Sequence, residues 1–263
     1  MTALDHARYC DEIVEQTRLL RQHIAGADLT ATVPTCPDWS LRELAVHVGG
    51  AHRWVLHIVA TKATEAVPQE QVPDFTGPDN DDPAALDGWL ADGAERTADA
   101  LRAAGPEAEV WTWAWERTAG FWARRMTHET VVHRADAALT AGAAYDVEPE
   151  VAADAIDEWL QIVRHVQQAH PFDNANELRG DGRTLHLHAT DTAPGLNAEW
   201  LIELGADGVR WRRGHEKATV ALRGPLTDVL NVFYRRLPAD SDRVEVLGER
   251  ELLDFWLERA SFG

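Results

Sequence analysis

The stretch Trp122-Ala-Arg-Arg-Met-Thr-His-Glu-Thr-Val-Val-His133-Arg-Ala-Asp136 decides the fold. It reads as a helix that carries Glu129 and His133 at i, i+4, one above the other on a single face. The same face runs through Trp122, Met126 and Ala137, so a carboxylate and an imidazole project from a stripe that is otherwise apolar. A charge on a core-facing stripe is costly unless it is paired or binds a metal. Glu-x-x-x-His spacing fits a simple intrahelical ion pair as well as two ligands of a cation. His128 and His133 are five residues apart, about 140° around the helix, so the geometry of the His-Glu-x-x-His peptidases is excluded.

Two ligands from one helix leave a site incomplete, and a helix bundle completes it from a facing helix. The candidate is His47. Val33-Pro-Thr-Cys-Pro-Asp-Trp-Ser40 reads as an extended or turning loop. Ser40 and Glu43 form a capping box for a helix running to about Thr61, with the stripe Leu41, Leu44, Val48, Val55 and Ile58. His47 lies about 100° from Val48, at the rim of that stripe with Ala51 and Trp54. Three ligands, His47, Glu129 and His133, would leave an open position, as in catalytic sites for Zn²⁺ or another divalent metal.

The other helices follow the same period. Residues 4–25 form one, through Ile13, Thr17, Leu20 and Ile24, with Gly26 as its stop. Residues 62–82, rich in Pro, Asp and Gly, are expected to be a surface loop serving as lid or wall. Pro83 opens a helix to about Ala104. Alternating Trp111, Trp113 and Trp115 suggest an extended segment with its rings on one side. The ligand-bearing helix runs from about Ala119 to Ala141, and Pro149 opens a fifth to about Gln168.

Near 170–180 the period shifts from helical to two. Thr184–Thr190, Glu199–Leu204, Val209–Arg212, Ala218–Gly224 and Asp242–Gly248 read as strands, with a hairpin at Gly205-Ala-Asp-Gly208. Helices are expected from Pro225 to about Arg236 and over Glu249–Ala260. The expected architecture is a helix bundle over 1–172 and a small α+β domain over 180–263.

The 263 residues carry a formal net charge of −19, which argues against non-specific binding to nucleic acid or to an anionic membrane surface. Lysine occurs only at Lys62 and Lys217; arginine supplies the rest, a bias of high-GC genomes. Two cysteines give neither a disulfide framework nor a zinc ribbon. The first residues do not read as a signal peptide, and no apolar run approaches a membrane span, so a cytoplasmic protein, monomeric or homodimeric, is expected.

The segments Thr32-Val-Pro-Thr-Cys-Pro-Asp-Trp-Ser-Leu-Arg-Glu-Leu-Ala-Val-His47-Val-Gly-Gly50 and Glu129-Thr-Val-Val-His133-Arg-Ala-Asp-Ala137 resemble the N-terminal domain of the mycothiol-dependent maleylpyruvate isomerase family. That domain is similar to the DinB-like four-helix bundles. Val220-Ala-Leu-Arg-Gly-Pro-Leu-Thr-Asp-Val-Leu230 resembles the family's C-terminal domain, which is related to sterol-carrier (SCP2-like) folds. The resemblance implies a divalent metal, usually zinc, on His47, Glu129 and His133. It also implies mycothiol as a low-molecular-weight thiol cosubstrate and a small-molecule electrophile as its partner. An arginine of the C-terminal domain supports catalysis in the isomerase. Arg236 in Val232-Phe-Tyr-Arg-Arg236 is the nearest match and Arg235 its rival, although the family's Trp and Gly are replaced here.

Other residues complete the expectations. The family pattern places Asp136 as the acceptor that orients His133; a surface pair with Arg134 is its alternative. Trp54 and Trp122, on the ligand faces, are candidates to line the cosubstrate pocket. Cys36 is read as a small loop residue. His186 and His188 have ligand-like spacing on a strand but no evident third partner, and are read as β-surface residues. Arg210, Arg212 and Arg213 are read as a solvated basic patch. The expected activity is thiol-assisted isomerisation or S-transfer. Its rivals are a metal-dependent hydrolase working without thiol, and a non-enzymatic module with a closed four-ligand metal site or an apolar tunnel in the C-terminal half.

Overall fold

The computed structural model describes residues 4–78 and 82–261, which fall into two compact units meeting at Tyr145/Asp146. The first unit holds four helices: α1 (His6–Ile24), α2 (Leu41–Thr61), α3 (Pro83–Ala104) and α4 (Ala119–Ala141). Their ends obey local chemistry. Asp5 caps α1, the Ser40/Glu43 capping box opens α2, and Asp82 precedes Pro83 at the start of α3. Gly142, at φ +64°, closes α4 in the left-handed conformation.

Helix α4 packs against α1, α2 and α3. Its burial extends round the whole circumference, taking in Arg125, Thr127, His128, Thr130 and Asp136. The apolar stripe read from the sequence is therefore only part of its buried surface. Buried hydroxyls bond backbone carbonyls: Thr127 Oγ1 donates to Tyr9 O at 2.9 Å, and Thr97 Oγ1 donates to His52 O at 2.9 Å. The bundle core is built from Ile13, Leu20, Leu44, Ile58, Leu90 and Leu101, each fully buried and each worth about 1.5–3 kcal/mol.

Before α2 the proline-bearing loop folds into a small hairpin, β1 (Thr32–Val33) and β2 (Cys36–Ser40), which sets Thr35 and Trp39 beside α4 and α2. The segment after α2 is tied to it at several points. Val67 O accepts from Trp54 Nε1 at 2.8 Å, Asp74 pairs with Arg53 at 3.0 Å, and Pro78 O accepts from Arg42 at 2.7 Å. It is a wall against α2 rather than a free lid; residues 79–81 of the expected loop lie outside the described residues. The three tryptophans do not share one side. Trp111 packs on Trp54 and Trp122, whereas Trp113 and Trp115 meet Phe121.

The second unit begins with α5 (Pro149–Ala169) and holds a sheet of β3 (Thr184–Ala189), β4 (Glu199–Gly205), β5 (Gly208–Arg213), β6 (Val220–Gly224) and β7 (Glu245–Gly248). The strand order is β5-β4-β3-β6-β7. β3 and β6 are parallel and every other pairing is antiparallel. α6 (Leu226–Phe233) and α7 (Arg250–Arg259) complete it.

The expected boundary near residue 172 is corrected: α5 belongs with the sheet. Buried Asp157 accepts from Trp200 Nε1 of β4 at 2.8 Å and from Arg213 of β5 at 2.6 Å. Gln167 Oε1 accepts from the Val209 backbone N–H at 2.9 Å. The period of α5 resembles that of the bundle helices, so only these partners reveal which layer it covers. No helix among the described residues is long and apolar enough to cross a membrane.

Candidate metal centre

The three expected ligands converge. His47 reaches in from α2, Glu129 and His133 from α4, and their ligand atoms all lie within 4.8 Å of one another. Both imidazoles turn Nε2 toward the same carboxylate oxygen. His47 Nε2 is 3.0 Å and His133 Nε2 3.3 Å from Glu129 Oε1. The ring centres stand 4.9 Å apart at 78°. With metal–nitrogen bonds of about 2.1 Å, two imidazole centres at the tetrahedral angle are roughly 5.2 Å apart, so the rings already have nearly the spacing a shared cation needs. His47 keeps 38% of its side chain exposed, as a rim position requires, while Glu129 and His133 keep 20% and 10%.

Neighbouring groups fix the orientation of each ligand. His133 Nδ1 donates to Asp136 Oδ2 at 2.9 Å, and Thr35 Oγ1 donates to Asp136 Oδ1 at 2.5 Å. His133 therefore presents Nε2 to the site, the arrangement in which a carboxylate fixes a metal-binding histidine. Arg125, one turn before Glu129, donates to Glu129 Oε2 at 2.6 Å and leaves Oε1 for the site. Trp39 packs tilted against the His47 ring, with centres 4.7 Å apart, and lies 6.0 Å from that of His133, forming an apolar wall.

Electrostatics bind the group together. Burial opposes charge on Glu129, but Arg125, His133 and His47 outweigh it and hold the carboxyl well below its ordinary range. Burial also disfavours a charged His133, yet hydrogen bonds to Asp136 and Glu129 prevail and raise its imidazole to about 9. Without a cation, a proton supplies the positive charge between the two carboxylates; a bound cation would displace it.

Sequence profiles divide the chain as its compact units do. The mycothiol maleylpyruvate isomerase N-terminal domain matches residues 10–138, and the C-terminal domain of the same protein matches residues 150–255. The chain belongs to the mycothiol-dependent maleylpyruvate isomerase family. Two solved structures share the fold. They are the crystal structure of the mycothiol-dependent maleylpyruvate isomerase, with a TM-score of 0.60, and that of a histidine-to-alanine mutant, with 0.61. Each is 17% identical over 95% of this chain and 97% of that one. No curated protein matches the chain by sequence.

Against the family pattern, other expected residues fall differently. Trp54 is half-buried, its Nε1 donating to Val67 O at 2.8 Å. Trp122 is corrected: it is fully buried, its Nε1 donates to Trp111 O at 2.7 Å, and it backs Trp54 at 5.2 Å instead of lining an accessible pocket. Helix α6 ends at Phe233, short of the arginines. Arg235 is exposed at φ +63°, and Arg236 Nη1 donates to Tyr234 O at 2.7 Å. Cys36 lies half-buried in β2, outside the converging donors.

Arg125, Thr35 and Trp39 are the neighbours the sequence reading missed. Arg125 carried a usable signal, since it precedes Glu129 by one helical turn. Thr35 and Trp39 reach the site through the hairpin, which helical periodicity does not address.

The basic patch of the second unit lines a cleft of about 690 Å³ with Arg164 and Leu196. Its charges are paired: Arg210 with Asp207, Arg212 with Glu216 and Arg213 with Asp157. The β-surface reading of His186 and His188 is also corrected, because Glu199 and His215 join them in a four-residue cluster.

Proposed function

We propose that the chain is a metal-dependent enzyme that uses mycothiol to isomerise, or transfer sulfur to, a small anionic electrophile. The observation that carries this is the convergence of His47, Glu129 and His133. Among the described residues their cluster holds three donors and no fourth, leaving a place for an incoming atom. The nitrogen and oxygen donors suit zinc, with other divalent metals as substitutes. Such a cation supplies Lewis acidity that keeps a thiol as thiolate at neutral pH.

The surrounding residues set the charge balance. Glu129 and Asp136 carry two negative charges and Arg125 one positive, so a divalent cation leaves one net positive charge for a thiolate to neutralise. Asp136 and Thr35 hold the His133 ring, and Arg125 holds the Glu129 carboxylate. Trp39 shields one side from water, and Trp54 remains the candidate to border the cosubstrate. The thiolate sulfur adds to an electrophilic carbon of a carbon–carbon double bond. Rotation and expulsion of the same thiolate give the isomer with no net change in atoms; retention of the sulfur, with a proton added to the neighbouring carbon, gives a conjugate. Arg236 or Arg235 is assigned, from the family pattern, to hold the substrate's anionic group.

The test is turnover of maleylpyruvate and of a generic electrophile with and without mycothiol, in the wild type and in His47→Ala. Thiol-dependent turnover that falls about a hundredfold or more in the variant is expected, since even outer-shell losses cost 10–100-fold. Full activity in His47→Ala overturns the scheme, and turnover without thiol would favour the hydrolase. Arg236→Ala or Arg235→Ala should raise KM for an anionic substrate.

A further inference from the structure

We infer that the second unit carries a metal site of its own, in which His186, His188, Glu199 and His215 bind one divalent transition-metal cation of the zinc class in a closed, four-ligand shell.

Three imidazole nitrogens converge on one carboxylate oxygen. His186 Nε2 is 2.9 Å, His188 Nδ1 3.3 Å and His215 Nδ1 2.7 Å from Glu199 Oε2. Ligand atoms on a tetrahedral zinc ion stand about 3.4 Å from one another, so a small outward shift opens the centre for a cation. The rings have the matching arrangement. Their centres form a nearly equilateral triangle with sides of 5.4, 5.3 and 5.3 Å, and their planes meet at 66°, 86° and 82°. The side expected for imidazoles on one tetrahedral ion is roughly 5.2 Å.

Hydrogen bonding accounts for only part of the cluster. His215 Nδ1 is aligned to donate to Glu199 Oε2 at 2.7 Å. His186 is buried, with 4% of its surface exposed, and its Nε2 pairs with that oxygen at 2.9 Å without hydrogen-bond alignment. A buried nitrogen close to an oxygen but out of line with it is only partly satisfied. A cation at the centre would engage it together with the other three donors.

The backbone fixes the donors in place. His186 and His188 are two apart on β3 and so share a face. Glu199 stands directly across from His188 in the β3–β4 register. The Gly214 N–H donates to Glu199 O at 3.0 Å, continuing the β4–β5 ladder so that His215 enters from beyond the end of β5. The opposite face carries Leu185, Leu187, Ile202 and Trp200, and Trp200 bonds Asp157 of α5. The cluster therefore occupies the sheet face turned away from α5. Three imidazoles and a carboxylate, with no thiolate, suit Zn²⁺, Co²⁺, Ni²⁺ or Cu²⁺. Four protein ligands close the shell, so the cation would pin the segment after β5 to β3 and β4, not activate a substrate.

The test uses tag-free, full-length protein stripped with chelator and titrated with Co²⁺ and Zn²⁺ by calorimetry and visible absorption. A His47→Ala/Glu129→Gln/His133→Ala variant removes the bundle site, so its binding is independent of the function proposed above. It should still take up one equivalent, with the visible bands of tetrahedral Co²⁺. Adding His188→Ala and His215→Ala should abolish that uptake while circular dichroism stays native. In the otherwise wild-type chain, His215→Ala, at an exposed loop position, should weaken one of two equivalents by about a hundredfold or more. A folded bundle-site variant that binds neither metal, or whose bound equivalent survives both histidine substitutions, overturns the proposal. So does a wild-type chain that saturates at a single equivalent unaffected by His215→Ala.

Discussion

Asp136 stands between Thr35 of the β-hairpin and His133 of the ligand helix, and its Oδ2 accepts the His133 Nδ1 proton at 2.9 Å. One carboxylate thereby couples the proline-rich loop to the face of α4 that carries Glu129 and His133. Asp136→Asn keeps the size but removes the charge that favours this tautomer. Metal affinity at the bundle site should fall 10–100-fold, with Thr35→Val giving a smaller loss. Competition against a calibrated chelator, in a chain also carrying His188→Ala and His215→Ala, measures it; unchanged affinity would show that Asp136 does not act through His133.

Arg125 and Glu129 form a largely buried pair at 2.6 Å, with 8% and 20% side-chain exposure. Arg125→Met leaves Glu129 a desolvated carboxylate facing two imidazoles. Removing one partner of a buried pair costs about 3–5 kcal/mol, and the charged His133 still beside Glu129, together with the residual exposure of Glu129, reduces this to about 1–2. Urea unfolding of metal-free protein should register that loss, and saturating zinc should recover part of it because the cation supplies the missing positive charge. Equal losses with and without zinc would contradict the shared electrostatics.

Gly49 of α2 faces the Trp89 ring of α3. A Cβ there would lie 2.0 Å from a ring carbon of Trp89, whose ring is held by the Arg53 guanidinium at 4.1 Å and by Nε1 bonds to Asp74. Gly49→Ala gains up to about 1 kcal/mol of helix propensity but overpacks a rigid indole. A net destabilisation of about 1–3 kcal/mol is expected in thermal or urea unfolding. A stabilised variant would mean that the helices separate freely.

His52 is fully buried. Its Nε2 bonds Thr130 Oγ1 at 2.9 Å, and burial, aided by Arg53, lowers its imidazole to about 4. The unfolded value is about 6.5, so between these limits the unfolded chain binds more protons and stability rises with pH. The contribution is complete above about pH 6.5 and is lost as pH falls toward 4, amounting to about 2 kcal/mol by pH 5. Because His133, raised to about 9, titrates in the opposite sense over the same window, the drop is read as the difference between wild type and His52→Gln in how unfolding stability changes from pH 7.5 to pH 5. An unaltered slope in the variant would assign the pH dependence elsewhere.

Much of this was legible in the chain itself. Ser40 and Glu43 announce the start of α2, Gly142 the end of α4, and the shift from helical to two-residue period marks where the strands begin. These features are local: caps, turns and alternation depend on residues within a few positions of one another. The spacing of Glu129 and His133 and the rim placement of His47 are local in the same sense and made the three candidates; the family resemblance of the segments that carry them joined them into one expected site.

Tertiary structure alone decided the rest. The period of α5 could not show that Asp157 would bond Trp200 and Arg213 and so join the sheet. The burial of Trp122 depends on Trp54 and Trp111 closing over it. His186 and His188 seemed solitary because Glu199 and His215 arrive from other segments, and strand register, a long-range pairing, sets which side chains meet across a sheet. Periodicity reports which face of an element is buried, but the partner against which it is buried is chosen only when the whole chain packs.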